Sequence, residues 1–246
     1  RSIDPRQTKI ILVEGMDRVL PPFAPSLSEK AAQDLQQLGI EVRTQTFVTS
    51  LEGDQVTFKS GDTEETIRAH TVLWAAGVRA SSLGKVVAAK TNAPSDRAGR
   101  IMVEPDFSVP NYPNIYVIGD LAHYAHQDDK PLPGVAPVAM QGGKYVARLI
   151  SDRLREKPTP AFHYTDSGSL AIIGRSSAVV DLNWTKLTGF PAWVVWALVH
   201  VMFLIEFDNK VIVMTQWMWN FFTRNQGARL ITGRDVIKSD SAFMKQ

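Results

Sequence analysis

The sequence predicts an α/β fold built from strand–helix–strand units, followed by a carboxy-terminal, membrane-associating helical segment. Three observations carry that expectation. Short, largely apolar runs at 10–13, 71–74 and 114–118 each lead into a glycine or a carboxylate, the pattern of buried parallel strands. Between the first two, Leu27, Ala31, Leu35 and Leu38 recur at helical spacing. After about residue 183 the composition shifts, and five of the six tryptophans lie there: Trp184, Trp193, Trp196, Trp217 and Trp219.

The elements follow in order. Ile10 to Val13 is a strand ending at Glu14, and Pro21, Pro22 and Pro25 make the next stretch a loop. Ser26 and Glu29 have the spacing of a capping box for the helix that follows, and Gly39 is a natural terminator. Ile40–Val42 opens the next strand, so strand–helix–strand order implies a crossover unit. From Phe47 to Arg68 short strands are broken at Gly53-Asp54 and Ser60-Gly61-Asp62, a meander. Thr71–Trp74 is a further buried strand running into Ala75-Ala76-Gly77, and Ser81–Arg97 reads as a surface excursion. Asn114–Ile118 is a strand closed by Gly119-Asp120, His123–Pro133 is a polar loop, and Gln141–Leu154 is a helix.

Composition narrows the function. Of 246 residues, 44% are hydrophobic, so a core is easily filled; the net charge of +2 offers no concentrated basic face for nucleic acid. Cysteine is absent, which excludes disulfides, thiolate metal sites and dithiol redox chemistry within this chain. The five histidines show no metal-ligand spacing, so no metal site is expected, and His123 and His126 read as surface residues. Polar Arg1–Thr8 is no signal peptide. With no initiating Met, the chain is expected to begin in mid-domain.

Four places carry candidate chemistry. Glu14, at a strand's carboxyl end, suits the two hydroxyls of an adenine ribose and repels a 2′-phosphate; an ordinary solvated strand-end glutamate is the alternative. Gly119 permits close approach of backbone to a ligand, and Asp120 is placed to accept from a polyol hydroxyl; a common strand-to-turn Gly-Asp is the alternative. The small-residue run Gly134–Gly143 leads into a helix whose first-turn N–H groups and partial positive charge suit a reduced flavin ring. Within it Gln141 can donate to and accept from a carbonyl-bearing acceptor, or else simply cap the helix. Ala76-Gly77 would let a planar ring slide past a strand end, or else forms a tight turn.

The tail holds an uncharged run, Leu187–Ile205, of 19 residues bounded by Lys186 and Glu206. Gly189 and Pro191 shorten the expected helix to 192–207, about 24 Å, less than the roughly 30 Å hydrocarbon core. A second stretch, Val211–Phe222, carries Trp217 and Trp219 with Lys210, Arg224, Arg229 and Arg234 around it, the pattern of an interfacial anchor. The expected attachment is monotopic; a helix packed in a core or a dimer interface is the alternative.

These residues together resemble a family. Leu12-Val13-Glu14 with Arg18–Pro21, then Leu73–Gly77, then Ile115–Asp120, occur in that order in flavoproteins with two dinucleotide-binding (Rossmann-like) domains. Val135–Gln141 and the hydrophobic tail are similar to type II NADH dehydrogenase, the single-subunit NADH:quinone oxidoreductases that do not pump protons. The resemblance implies FAD as cofactor, NADH as co-substrate, a quinone as acceptor, and a place in respiratory electron transport at the cytoplasmic face of the cell membrane. It implies Glu14 on the NADH ribose, Ala76-Gly77 near the nicotinamide, Asp120 on the FAD ribitol beside Gly119, Val138 and Ala139 against the isoalloxazine through their backbone, and Gln141 at the quinone. Some members carry a second glutamine where this sequence has Pro137. Residues 1–77 would be the carboxy-terminal part of an NADH-binding domain, 78–160 that of an FAD-binding domain, and 161–246 the membrane attachment. The family's glycine-rich loops would lie upstream, and a homodimer is among the expectations. Two other readings stay open: a soluble FAD-dependent NAD(P)H reductase of another acceptor, and a non-catalytic membrane-associated domain.

Overall fold

A computed structural model describes residues 8–204 and 206–223; Arg224, Arg229 and Arg234 lie outside the described residues. The chain divides into two compact units, one up to Val72 and again from Gly168 onward, the other Leu73–Ser167.

The first unit opens with β1 (Ile10–Val13), α1 (Pro25–Gln37) and β2 (Ile40–Arg43), with β1 and β2 parallel and Ile10 opposite Ile40. The helix starts at Pro25, whose missing N–H costs nothing in a first turn, and no side chain caps it. The expected capping box therefore does not form. Pro25 sets the start one residue early and leaves Ser26 inside the helix. Gly39, at φ +82, ends the helix as expected, its N–H donating to Gln36 O at 2.9 Å. The meander forms as expected, with Ser60 in a strand rather than in the second break: β3 (Phe47–Glu52), β4 (Gln55–Ser60) and β5 (Thr63–Arg68) form an antiparallel sheet turned at Gly53 and Gly61, both at positive φ. The strand expected at Thr71–Trp74 is absent. Residues 71–79 are irregular and exposed, Leu73 at 84%. An apolar run becomes a buried strand only between paired neighbours, and no strand among the described residues pairs with this one.

The second unit holds α2 (Leu83–Thr91), β6 (Ile101–Met102), β7 (Ser108–Val109), β8 (Tyr112–Tyr116), β9 (Ala122–His123) and α3 (Ala136–Leu154). The expected excursion at Ser81–Arg97 thus contains a helix, seated by Gly84, where a Cβ would come within 2.7 Å of Gly99 O. The core gathers Ile101, Val103, Phe107, Val109, Val117, Tyr124 and Val146. His123 is partly buried rather than on the surface, its Nδ1 2.9 Å from Asp96 Oδ2; His126 is exposed as expected, with its Nε2 2.6 Å from Val103 O.

After Gly168 the chain adds an antiparallel sheet that the sequence reading did not anticipate: β10 (Ser169–Gly174), β11 (Ser177–Asp181) and β12 (Lys186–Thr188). Its central strand is buried on both faces. Val179 packs with Val19, Phe23, Leu27 and Ala31, while Ala178 and Val180 pack with Ala192. Alternation along a strand makes this a layer between two helices. Ser177 Oγ also donates to Asp34 of α1, whose carboxylate pairs with Lys30. Burial raises the Asp34 pKa, but Lys30 and Ser177 outweigh it and leave the group below its ordinary value.

The two tail stretches expected at 192–207 and 211–222 are both helical, with shifted bounds. They form α4 (Gly189–Met202) and α5 (Phe207–Thr223), separated at Glu206, which sits at φ +67. Pro191 falls in the first turn of α4, where proline is tolerated, so it does not shorten the helix. No helix among the described residues is long and apolar enough to cross a membrane.

Asp96 is the most heavily bonded carboxylate of the second unit. It accepts from the backbone N–H groups of Ala98 and Arg100, from Arg100 Nε at 2.7 Å and from His123. Burial raises its pKa, yet His123 and Arg100 prevail and hold the carboxyl well below the usual carboxylate range. A depressed folded pKa stabilises above the unfolded value and ceases to do so as pH falls through the folded one. Asp96→Asn is therefore expected to cost about 1.5–3 kcal/mol at pH 7. The gap to wild type should narrow as the pH drops below about 4, read from urea midpoints across pH.

Candidate cofactor site

The second unit builds its site from one turn and one helix end. From β8 the chain continues through Val117, whose N–H donates to Phe107 O at 3.0 Å, into a 3-10 turn at Gly119–Leu121. Gly119 sits at φ +66, a conformation that costs side-chain-bearing residues, and a Cβ there would lie 3.4 Å from Ala139 Cβ. The turn thus rests directly on the first turns of α3. That helix begins after Val135, in extended backbone, with no side-chain cap and with Pro137 in its first turn. Its partial positive end is met by no side chain.

Asp120 stands at this place. Its Oδ1 would be 3.6 Å from a Cβ built on Gly134, the residue that leads into α3. The Asp120 carboxylate is exposed and has no hydrogen bond or ion pair among the described residues. Every other aspartate that the core of this unit uses is engaged: Asp96 as above, and Asp106 by Ser108 and Arg153. Burial raises the Asp106 pKa, and Ser108 and Arg153 more than reverse it. At the start of α3 the Val135 N–H donates to Pro133 O, Val138 and Ala139 donate to Val135 O, and Pro137 has no N–H, which leaves Ala136. The exposed Asp120 carboxylate beside the Gly119 turn, an acceptor only, suits the hydroxyls of a polyol.

The structure therefore brings Gly119, Asp120, Val138 and Ala139 together. Val138 is buried and Ala139 faces the Gly119 turn. Gln141 is placed differently from a helix cap: α3 begins five residues before it, so it lies in the second turn. Its Nε2 donates to Thr165 O at 2.9 Å and its Oε1 accepts from Thr165 N–H at 3.0 Å. Sequence reading missed Thr165, because a backbone partner 24 positions away leaves no side-chain signature. Ala76-Gly77 lies on the exposed irregular segment, with Gly77 at φ +86 and its N–H donating to Ala75 O at 3.2 Å.

Glu14 belongs to the first unit. Its N–H donates to Arg43 O at 2.8 Å, and its Oε1 accepts from the Met16 N–H at 2.9 Å. One carboxylate oxygen is thereby oriented at the strand's carboxyl end. Nearby, an open hollow of about 400 Å³ is lined by Arg43, Thr44, Thr46, Phe58, Ser60 and Glu65 among others.

Residues 5–143 match the family described as pyridine nucleotide-disulphide oxidoreductase, a span holding Glu14, Gly77, Asp120 and Gln141. The chain belongs to the pyridine nucleotide-disulphide oxidoreductase family. Residues 167–225 match the NDH2 C-terminal domain, which bears out the resemblance to type II NADH dehydrogenase. A type II NADH:quinone oxidoreductase of Mycobacterium tuberculosis is 38% identical over 96% of this chain and 51% of its own length. One from Staphylococcus saprophyticus is 30% identical over 72% of the chain and 43% of its own length. The chain thus spans about half the length of the curated relatives it matches. A structure of NDH2 from Plasmodium falciparum in complex with NADH superimposes with a TM-score of 0.77 at 18% identity, covering 91% of this chain and 59% of that one; this likeness supports the α/β fold. Within the pyridine nucleotide-disulphide oxidoreductases, the lack of cysteine here means this chain supplies no dithiol.

Two substitutions separate scaffold from site. Gly119→Ala should destabilise the chain by about 1–2 kcal/mol through its positive φ. Asp120→Asn should change stability by less than about 0.5 kcal/mol, because the carboxylate has no partner to lose. Urea melts of both variants check this.

Proposed function

We propose that this chain serves an NADH:quinone oxidoreductase in which FAD is held at the Asp120 site. The observation that carries the reading is the unengaged Asp120 carboxylate on the Gly119 turn, beside the uncapped amino terminus of α3. Asp120 would accept from ribitol hydroxyls, Gly119 would let the cofactor lie close, and the backbone of Val138 and Ala139 would face the isoalloxazine. FAD bound there supplies the two-electron chemistry that links NADH to a quinone. The α3 amino terminus would favour negative charge on the ring. Glu14 would accept from the NADH ribose hydroxyls, its free oxygen held in place by the Met16 bond to the other. Ala76-Gly77, without bulk, would pass the nicotinamide. Gln141 would hydrogen-bond a quinone carbonyl. Pro137 can offer no N–H, so that contact falls to Gln141 alone of the two positions. On this reading residues 1–77 serve NADH, 78–160 serve FAD, and 161–246 provide attachment.

Attachment to a membrane surface follows from α4 and α5. Phe190, Val194, Leu198 and Met202 are exposed at every fourth position of α4, and Phe207, Val211, Met214, Met218 and Phe222 continue at helical spacing along α5. Such charge-free rows suit the interfacial layer of a bilayer, where a water-insoluble quinone resides.

Asp120→Ala in the native enzyme should lower flavin occupancy at least about tenfold, the loss of one charge-assisted hydrogen bond, and NADH oxidation should fall in proportion. Undiminished flavin content would remove Asp120 from this role. Replacing Val194 and Leu198 together by glutamate should release the protein from vesicles that otherwise pellet it in high salt; unchanged pelleting would exclude α4 as the attachment face.

A further inference from the structure

Residues 157–168 carry no helix or strand, yet two of them are held as firmly as strand residues. Gln127 Nε2 donates to Tyr164 O at 3.2 Å, and Gln127 Oε1 accepts from Tyr164 N–H at 2.9 Å. Gln141 makes the same pair of bonds with the N–H and C=O of Thr165. Both backbone groups of one residue thus face one glutamine, and both groups of the next face the other. In an extended chain successive residues present their N–H and C=O to opposite edges, so the two glutamines take the place of two flanking strands.

The two sides differ. Tyr164 is 7% exposed, and the Gln127 bonds lie in part-buried surroundings; Thr165 is exposed, and the Gln141 bonds are open to solvent. A glutamine amide has two N–H donors and two acceptor positions. Thr165 uses one of each. It also fixes which way the amide faces, since the reversed amide would set NH2 against N–H and oxygen against oxygen. One N–H of Gln141 is left over, in a direction set by Thr165.

We propose that Gln127 is a positioning residue for Gln141. By holding Tyr164 from the far edge it fixes Thr165, and Thr165 in turn aims the remaining Gln141 N–H at a carbonyl-bearing acceptor. The acceptor's chemical class rests on the function proposed above; the clamp does not. Gln127 itself touches no ligand in this arrangement.

The test uses the full chain with Gln127→Ala, Gln141→Ala and Gln141→Glu, and two readouts. The first is amide hydrogen exchange at Tyr164 and Thr165, with Val146 and Leu149 of α3 as internal reporters of intact folding. The second is equilibrium binding of menadione, a small quinone with two carbonyls. Gln127→Ala should raise exchange at Tyr164 by about tenfold, its N–H having lost its acceptor, raise it several-fold at Thr165 through the loosened segment, leave α3 unchanged, and weaken menadione binding several-fold. Gln141→Glu should keep Thr165 N–H protected, because a carboxylate still accepts, while losing menadione as fully as Gln141→Ala. Unchanged Thr165 exchange in Gln127→Ala overturns the clamp. Raised exchange with unaltered menadione affinity overturns the positioning role. Wild-type protein that binds no menadione overturns the acceptor role of Gln141, and the exchange rates distinguish that failure from a failed clamp.

Discussion

The placement of α3 depends on Phe107. Its ring is 1% exposed, stacks on Tyr124 at 4.6 Å between centroids, and meets Phe162 edge-on at 4.8 Å. The residue holds φ +65, strained for a bulky side chain and sustained only where the surroundings overdetermine it. Those surroundings are visible: Phe107 N–H donates to Glu104 O, Val117 N–H donates to Phe107 O, and Asp106 next to it is braced by Ser108 and Arg153. The helix can lie against this ring because position 142 lacks a side chain; a Cβ there would be 3.3 Å from Phe107 Cζ. Gly119 makes the matching concession on the other side. Two absent side chains therefore let the helix end and the Asp120 turn meet, and from that meeting come the cradle, the uncapped amino terminus and the exposed acceptor.

Three aspartates on the core and turn of the second unit differ in what they already hold. Asp96 and Asp106 have their bonds filled by residues of the fold, so their charge is used in stabilising it. Asp120 has no hydrogen bond or ion pair among the described residues, so in the ligand-free chain its charge has only the field of the nearby α3 amino terminus. A charged group without internal employment, set on a turn that needs glycine, is the economical sign of a binding group. Gln141 shows the intermediate case: half of its hydrogen-bonding capacity fixes its own direction and half remains.

Local chemistry was legible in the sequence; distant pairing was not. The meander could be read to within a residue because Gly53 and Gly61 terminate strands by their own backbone freedom. Helix α1 was visible from its apolar period and Gly39, although Pro25 displaced its start. The Thr71–Trp74 run misled because strand formation depends on neighbours, not on apolar content alone. The sheet β10–β12 was missed behind the louder signal of the tryptophan-rich tail, although Leu170–Ile173 and Ala178–Val180 flank an Arg175-Ser176 turn. In the tail both stretches were legible, but their bounds shifted: Gly189 and Pro191 lie inside the first turn of α4, which ends at Met202, and Glu206 at φ +67 precedes α5. At the site, Gly119-Asp120 could be read directly. The pairing of His123 with Asp96, and of Gln141 with Thr165, joins positions more than 20 residues apart, which one sequence does not reveal.

The Gly119 turn resting on α3 underlies the whole site, and the absence of cysteine from the chain allows that contact to be measured directly. A double variant with Gly119→Cys and Ala139→Cys places two sulfurs on positions whose Cβ atoms would be 3.4 Å apart, close to the usual disulfide separation of about 3.8 Å. Under mild oxidation the folded protein should form one intramolecular disulfide, seen as a loss of about 2 Da and of reactivity toward a thiol reagent, while either single variant stays reduced and monomeric in this respect. Two thiols that remain free in the folded double variant would mean the turn and the helix are not in contact, and the cofactor site built on that contact would have to be abandoned.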